Sequence, residues 1–211
     1  MYQIRQTKVW LGTFCFFNYF ILKRRFSVSK SHSLYLLYLK SIKLEHFLRK
    51  ALPSEAEIIW NILQQAIERR RKDGSRQWQD GYPNLEVVKM DISSGKGYVL
   101  EREGKIAAYA ALVFNDEPAY DEIEGNWLTS GDFLVIHRVA VSDDFLGKGI
   151  AVSLFKVLED FAKEHQVFSI KVDTNFDNLA MLHILEKLNY QYCGEVYFRG
   201  GARKAFEKVL S

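Results

Sequence analysis

Apolar positions along the chain change their spacing from segment to segment, and each spacing predicts an element. Ile58, Ile59, Ile62, Leu63, Ala66 and Ile67 recur at the 3.6-residue period of a helix. Pro53-Ser54-Glu55-Ala56-Glu57 precedes that stripe, with Ser54 and Glu57 at capping-box spacing. A first strand is predicted just before it, over residues 45–51. Residues 69–82 are polar and contain Gly74 and Gly81, which predicts a loop or a frayed helix end. Asn84 is placed to cap a short second helix over 85–92. Segments 97–102 and 105–114 read as two strands joined by the turn Glu103-Gly104. An acidic connection over 115–131 follows. Residues 133–141 then form a nearly unbroken apolar run, the mark of a buried strand.

The second half repeats the alternation. A helix with Ala151, Leu154, Phe155, Leu158, Phe161 and Ala162 on its buried face leads to a β-rich run over 167–172. A further helix is predicted over 178–188, and strands over 190–198 and 203–210 flank Gly200-Gly201. The order β-α-α-β-β-β-α-β-α-β-β predicts an α/β (α+β mixed sheet) fold, with one twisted mixed sheet and helices on both faces.

The most telling stretch joins the strand over 133–141 to the helix after it. Ser142, Asp143 and Asp144 form turns readily, and Gly147 and Gly149 leave backbone N–H groups uncovered at the mouth of a helix. Such a turn suits a phosphate or pyrophosphate. It is not a P-loop, because Lys148 lacks the GxxxxGK[ST] frame, and it is not a dinucleotide loop, because Val152 stands where the third glycine belongs. Leu146-Gly147-Lys148-Gly149-Ile150-Ala151 instead resembles the [Gln/Arg]xxGx[Gly/Ala] loop of the GNAT superfamily of acyl-CoA-dependent N-acetyltransferases, with Leu146 at the position of the usual polar residue. Asn178 to Tyr190 resembles the family's NxxAxxLYEKLGF, with Asn178 and Glu186-Lys187-Leu188 in place. The pattern's tyrosine, often the acid for the departing thiolate, falls on Leu185.

The resemblance covers residues 45–211 and implies a GNAT-like acyl-CoA N-acyltransferase fold, with acetyl-CoA as cosubstrate. It implies that backbone groups of Val139, Ala140 and Val141 meet the pantetheine arm. It also implies that Leu146, Gly147, Lys148, Gly149, Ile150 and Ala151 take the pyrophosphate. Asn178 contacts the coenzyme arm or simply caps its helix; both readings stand.

Charge separates the chain into unlike parts. Residues 1–44 hold eight Lys/Arg and no acid, which leaves 21 bases against 26 acids, a formal −5, for residues 45–211. That balance argues against nucleic acid as a partner of the main domain. The apolar run over 9–22 has 14 residues and is interrupted by Asn18, short of the roughly 20 needed to span a bilayer. The first 44 residues read as a marginal membrane anchor, an amphipathic appendage, or a translated upstream stretch foreign to the native product. The last is favoured, because the domain pattern restarts at Leu44, although no methionine lies between Met1 and Met90. A membrane partner is not expected, and a homodimer is left open. Cys15 and Cys193 have neither disulfide nor metal spacing, so no metal is expected and a reducing cytoplasm is.

Acetyl transfer from a thioester needs a held coenzyme, a neutral amine and a stabilised leaving thiolate. Two bases are proposed from sequence. His137 lies in the central strand, where a proton relay or a satisfied core imidazole would fit equally. Glu124 belongs to the acidic group Asp116, Glu117, Asp121, Glu122 and Glu124, which sits beside Tyr120 and Trp127 and suits a cationic amine. Trp78 and Tyr82, in the polar segment after the first helix, and Tyr120 are the candidate substrate walls. The function expected is acetyl transfer to a primary amine of a small molecule or peptide. The alternative is an acyl-CoA-binding module with little turnover, suggested by Leu185.

Overall fold

The structure is a computed structural model that describes residues 46–198 and 201–211. The readings made for residues 1–44, Cys15 included, and the Gly200 turn lie outside the described residues. Twelve regular elements follow in order: β1 (Phe47–Lys50), α1 (Ala56–Lys72), α2 (Leu85–Ser93), β2 (Gly97–Arg102), β3 (Lys105–Phe114), β4 (Glu124–Gly125), β5 (Leu134–Val141), α3 (Ile150–Glu164), β6 (Ser169–Thr174), α4 (Leu179–Lys187), β7 (Gln191–Phe198) and β8 (Gly201–Val209). The strands make one sheet in the order β1-β2-β3-β5-β6-β8-β7-β4. Every neighbouring pair is antiparallel except β5 and β6, which run parallel.

Helices cover both faces, and the two-residue strand period sorts the core accordingly. On one face Ile59, Ile62, Leu63 and Ala66 of α1 and Val88 of α2 pack on Val99, Tyr109, Ala111 and Ala140. On the other, Leu154, Phe155, Leu158 and Ala162 of α3 and Leu185 of α4 pack on Leu100, Ala108, Leu134, Ile136, Ile170 and Val172. Burial on both faces explains why β3 and, apart from His137 and Arg138, β5 are so apolar.

Several boundaries differ from the sequence expectation for identifiable reasons. The Ser54–Glu57 capping box does not form; Glu55 accepts the Leu52 N–H at 2.7 Å and binds Arg49 through both carboxylate oxygens. Helix α1 continues through the polar run to Lys72, because Glu68 pairs with Arg71 and Lys72, and the four basic residues of its last turn suit the helix C-terminus. Ile58, expected on the buried stripe, is 54% exposed. The strand expected at 167–172 begins at Ser169, since the Val167 N–H still bonds back to Ala162 and completes the end of α3. The acidic connection contains the two-residue β4, which pairs with β7 at Glu124↔Glu195 and Gly125↔Gly194. Its far end is pinned by buried Glu207, which accepts bonds from the Leu128 and Thr129 N–H groups, the Thr129 hydroxyl and the Ser169 hydroxyl.

One irregularity in the sheet organises everything that follows. β5 and β6 pair only at Leu134↔Ile170 and Val135↔Lys171. Beyond those pairs β5 stays with β3 as far as Val141, while β6 stays with β8 as far as Thr174. The two strands therefore diverge, and a wedge opens between them in the middle of the sheet.

Candidate active site

The wedge is shaped by a bulge in β5. Ala111 pairs with His137 and Tyr109 with Ala140, so Arg138 and Val139 together face the single residue Ala110. Arg138 has φ +53°, a left-handed conformation uncommon for a residue with a side chain. The extra residue defeats strand alternation. His137 and Arg138 both reach the face covered by α1 and α2, whereas Ile136 and Val139 pack with α3 and α4. Trp78, Tyr82, His137, Arg138, Val139, Asp173, Thr174, Asn178, Met181 and Arg203 line the opening, which thus draws residues from both sides of the sheet.

Arg138 is held by a buried network. Its Nε and one terminal nitrogen bond both oxygens of Asp91 on α2 at 2.8 and 2.7 Å, and the other terminal nitrogen donates to the Tyr82 hydroxyl at 2.5 Å. The Tyr109 hydroxyl donates to the same Asp91 at 2.7 Å, and burial together with that carboxylate raises the phenol well above its usual range.

His137 stands between two carboxylates. Its Nε2 is 2.7 Å from Glu117 Oε2, and its Nδ1 is 3.8 Å from Asp173 Oδ1. Burial pushes Glu117 up, but the hydrogen bond and charge of His137 outweigh it and hold the carboxyl below its ordinary value. Asp173 is fixed from beneath: the Tyr120 hydroxyl donates to Oδ1 at 2.8 Å, and Arg203 to Oδ2 at 3.0 Å. Desolvation and the Asp173 charge raise the Tyr120 phenol, which stays a neutral donor.

The glycine loop lies at the open end of β5. Gly147 and Gly149 have φ +71° and +73°, and a Cβ added at either would meet nothing within 4 Å. Gly149 caps α3 without a side chain, so the first N–H groups of that helix face outward uncapped. The loop is anchored from α1: Gln65 accepts the Asp143 N–H at 2.9 Å, and Arg69 binds the Asp143 carboxylate and, at 2.7 Å, the Val141 carbonyl. Buried Phe145 pins the turn from inside. Lys148 folds back, donating to the Asp144 carbonyl at 2.8 Å across the Phe145 ring. Leu146 is exposed, Ile150 is buried and Ala151 is half-buried at the start of α3. The geometry fits a pyrophosphate at the loop and an extended amide arm along the unpaired edge of Val139 to Val141.

The residues singled out from sequence thus divide. His137, Val139, Asn178, Trp78 and Tyr82 converge on the wedge. Asn178 caps α4, accepting from the Met181 N–H at 3.2 Å, while Arg70 donates to the same oxygen and its own amide donates to Gln77. Trp78 sits in a left-handed conformation at φ +65°, in a stretch tied to the β6–α4 turn by Ser75–Asp177 and Gln77–Asn178. Tyr120 lies under the site rather than on its wall, 2% exposed and packed at a tilt against Trp127. Glu124 stands apart on exposed β4, accepting from Tyr197 at 3.0 Å. Sequence reasoning passed over Asp173 and Arg203. The available signal was a lone acid within the β-rich segment over 169–174.

Comparison with known proteins agrees with this geometry. The model of the Acetyltransferase (GNAT) family matches residues 59–190. A GNAT-family acetyltransferase of Streptococcus agalactiae 2603 is 38% identical, with a TM-score of 0.72 over 79% of this chain and 96% of its own. A Listeria monocytogenes 4b F2365 GNAT acetyltransferase, 20% identical, has a TM-score of 0.64 over 79% of this chain and 96% of its own. An acetyltransferase of Salmonella typhimurium, yncA, solved with its cofactor acetyl-CoA, is 16% identical, with a TM-score of 0.55 over 79% and 95%. These last two share the fold. No curated protein matches the sequence. No helix among the described residues is long and apolar enough to cross a membrane. With a family match over most of the folded unit and a close structural relative over nearly its whole length, the chain belongs to the GNAT family of acetyltransferases.

Proposed function

We propose that this chain transfers the acetyl group of acetyl-CoA to a primary amine of a small molecule or peptide, with His137 as the base. The observation that carries the reading is the wedge itself. It holds a carboxylate-flanked imidazole at His137, and the same strand β5 runs on from it, with its edge unpaired, to the open glycine loop after Val141.

Each residue then has a physical task. The loop from Leu146 to Ala151 holds the pyrophosphate by backbone N–H groups at the start of α3. The free edge of β5 from Val139 to Val141 receives the arm as an added strand would be received. Glu117 orients His137 by accepting a hydrogen bond from Nε2–H, which leaves Nδ1 as the basic nitrogen. Around the opening, Glu117, Asp173 and Asp91 face Arg138 and Arg203, an excess of one negative charge while His137 is neutral. That excess, with Trp78 and Tyr82 on the walls, favours an acceptor that arrives as an ammonium ion and gives its proton to His137. Glu124 takes no part, because its carboxylate is engaged at the exposed sheet edge.

The experiment is thiol release from acetyl-CoA over a panel of amines, with acetyl-CoA binding measured by calorimetry in parallel. Wild-type protein should release thiol only when an accepted amine is present. His137→Ala should lower turnover by about 10²–10⁴, the usual contribution of a positioned base. Full activity in His137→Ala would overturn its assignment. Tight acetyl-CoA binding with no accepted amine would replace the enzyme reading by that of a binding module.

A further inference from the structure

The wedge contains one polar group that the protein itself does not satisfy. Thr174 ends β6, is 1% exposed, and lines the opening with Val139 and Met181. Its Oγ1 has no hydrogen-bond partner among the described residues. Buried hydroxyls are ordinarily paired, and an unpaired one forfeits its hydration with nothing in return. Thr174 follows Val172 by two residues, so its side chain points to the face where Val172 packs with Leu185. Extending the parallel register from Val135↔Lys171 sets Thr174 level with Arg138, at the bulge.

We propose that Thr174 is a catalytic residue: its hydroxyl donates a hydrogen bond to the coenzyme sulfur as the thioester breaks. The inference rests on the acetyl-transfer reading above. The amine lone pair forms the new N–C bond, and the C–S electron pair departs on sulfur. An acceptor arriving as an ammonium ion loses two protons: the first passes through His137 to solvent before attack, and the second goes to His137 as the N–C bond forms. Thr174 keeps its own proton and stabilises the thiolate by a dipole fixed before the reaction begins; solvent protonates the thiolate after release.

Other groups are poorly placed for this task. Leu185, where the family pattern has tyrosine, is fully buried and has no polar atom. Tyr190 is buried against Phe155, while Tyr192 and Tyr197 are exposed on β7. Tyr82 lines the opening, but from the α1/α2 side, with its oxygen engaged by Arg138. Thr174 offers from β6 what the pattern expects from α4.

Thr174→Val keeps the shape and removes the hydroxyl, whereas Thr174→Ser keeps the hydroxyl. Without ligand, the valine variant should melt no lower than wild type, because it removes an unpaired buried group. Its calorimetric affinity for acetyl-CoA should stay within about twofold, while kcat falls at least tenfold and the serine variant recovers most of it; removing a comparable oxyanion donor costs about 10²–10³. A valine variant that turns over like an active wild type overturns the role of Thr174 and leaves acetyl transfer standing. So does a serine variant as slow and as destabilised as the valine one, which would make the residue purely structural. A wild-type protein that neither binds acetyl-CoA nor releases thiol overturns both readings.

Discussion

Replacing Gly149 by valine separates backbone strain from ligand contact, because the structure fixes the two contributions independently. At φ +73° an L side chain costs about 1–2 kcal/mol for left-handed crowding, and β-branching adds to it. The added Cβ itself brings no clash within the protein, since it meets nothing within 4 Å. In a chain of this size about 1 kcal/mol corresponds to roughly 2–4 °C, so melting should fall by about 2–8 °C with the fold retained. The ligand contribution is separate. The valine occupies space in front of the first amides of α3, where each charge-assisted hydrogen bond is worth about 1.5–3 kcal/mol. Loss of one such bond predicts at least a tenfold fall in acetyl-CoA affinity, since a factor of ten is 1.4 kcal/mol.

Gly104 supplies the control. It lies at the tip of the β2–β3 hairpin with φ +75° and, like Gly149, has nothing within 4 Å of an added Cβ. Gly104→Val should therefore show a similar fall in melting temperature with calorimetric acetyl-CoA affinity unchanged. If both folded variants bind acetyl-CoA as wild type does, the loop from Leu146 to Ala151 does not hold the pyrophosphate, and the site must be drawn elsewhere.

Two further outcomes follow from the buried charges. Asp91→Ala leaves the Arg138 guanidinium and the Tyr109 hydroxyl without their acceptor and should cost about 3–5 kcal/mol in denaturant unfolding; Asp91→Ala combined with Arg138→Met should recover much of it, and an additive double variant would show that the pair is not coupled. Glu117 has a depressed pKa in the folded state, so its contribution to stability is complete above the ordinary value of 4.5 and is lost as pH falls through the lower folded value. Glu117→Gln should accordingly flatten the stability–pH curve below pH 4.5, and a curve parallel to wild type there would deny the His137–Glu117 pairing.

Much of the scaffold was legible because it depends on local periodicity. β2 and β3 have the bounds expected from the hairpin signal, and Asn84 and Asn178 cap their helices through their side-chain oxygens. The same local reasoning missed what depends on two chain segments at once. β4 is a two-residue strand held by the close approach of Gly125 to Gly194, where an added Cβ would stand 2.1 Å from the Cys193 carbonyl oxygen. No pattern in residues 115–131 encodes that partner. The end of α1 was obscured for a different reason: a charged run reads as loop until its i,i+3 and i,i+4 pairs are seen to support a helix.

The candidate site shows where a one-dimensional reading runs out. Strand alternation would place His137 and Arg138 on opposite faces, and one inserted residue brings them to the same face. From sequence the acidic connection offered five carboxylates, with Glu124 put forward as the base. The fold distinguishes them by distance alone, setting Glu117 at 2.7 Å from His137 while Glu124 pairs with Tyr197 at the sheet edge. Asp173 gained its place in the same way, since nothing along the chain links it to Tyr120, 53 residues before it, or to Arg203, 30 residues after. The wedge itself is an absence of pairing between two good strands. β5 and β6 part because each keeps its outer partner while the bulge turns the end of β5 away. The chemistry proposed here therefore depends on the register of β3 with β5 more than on any single polar residue.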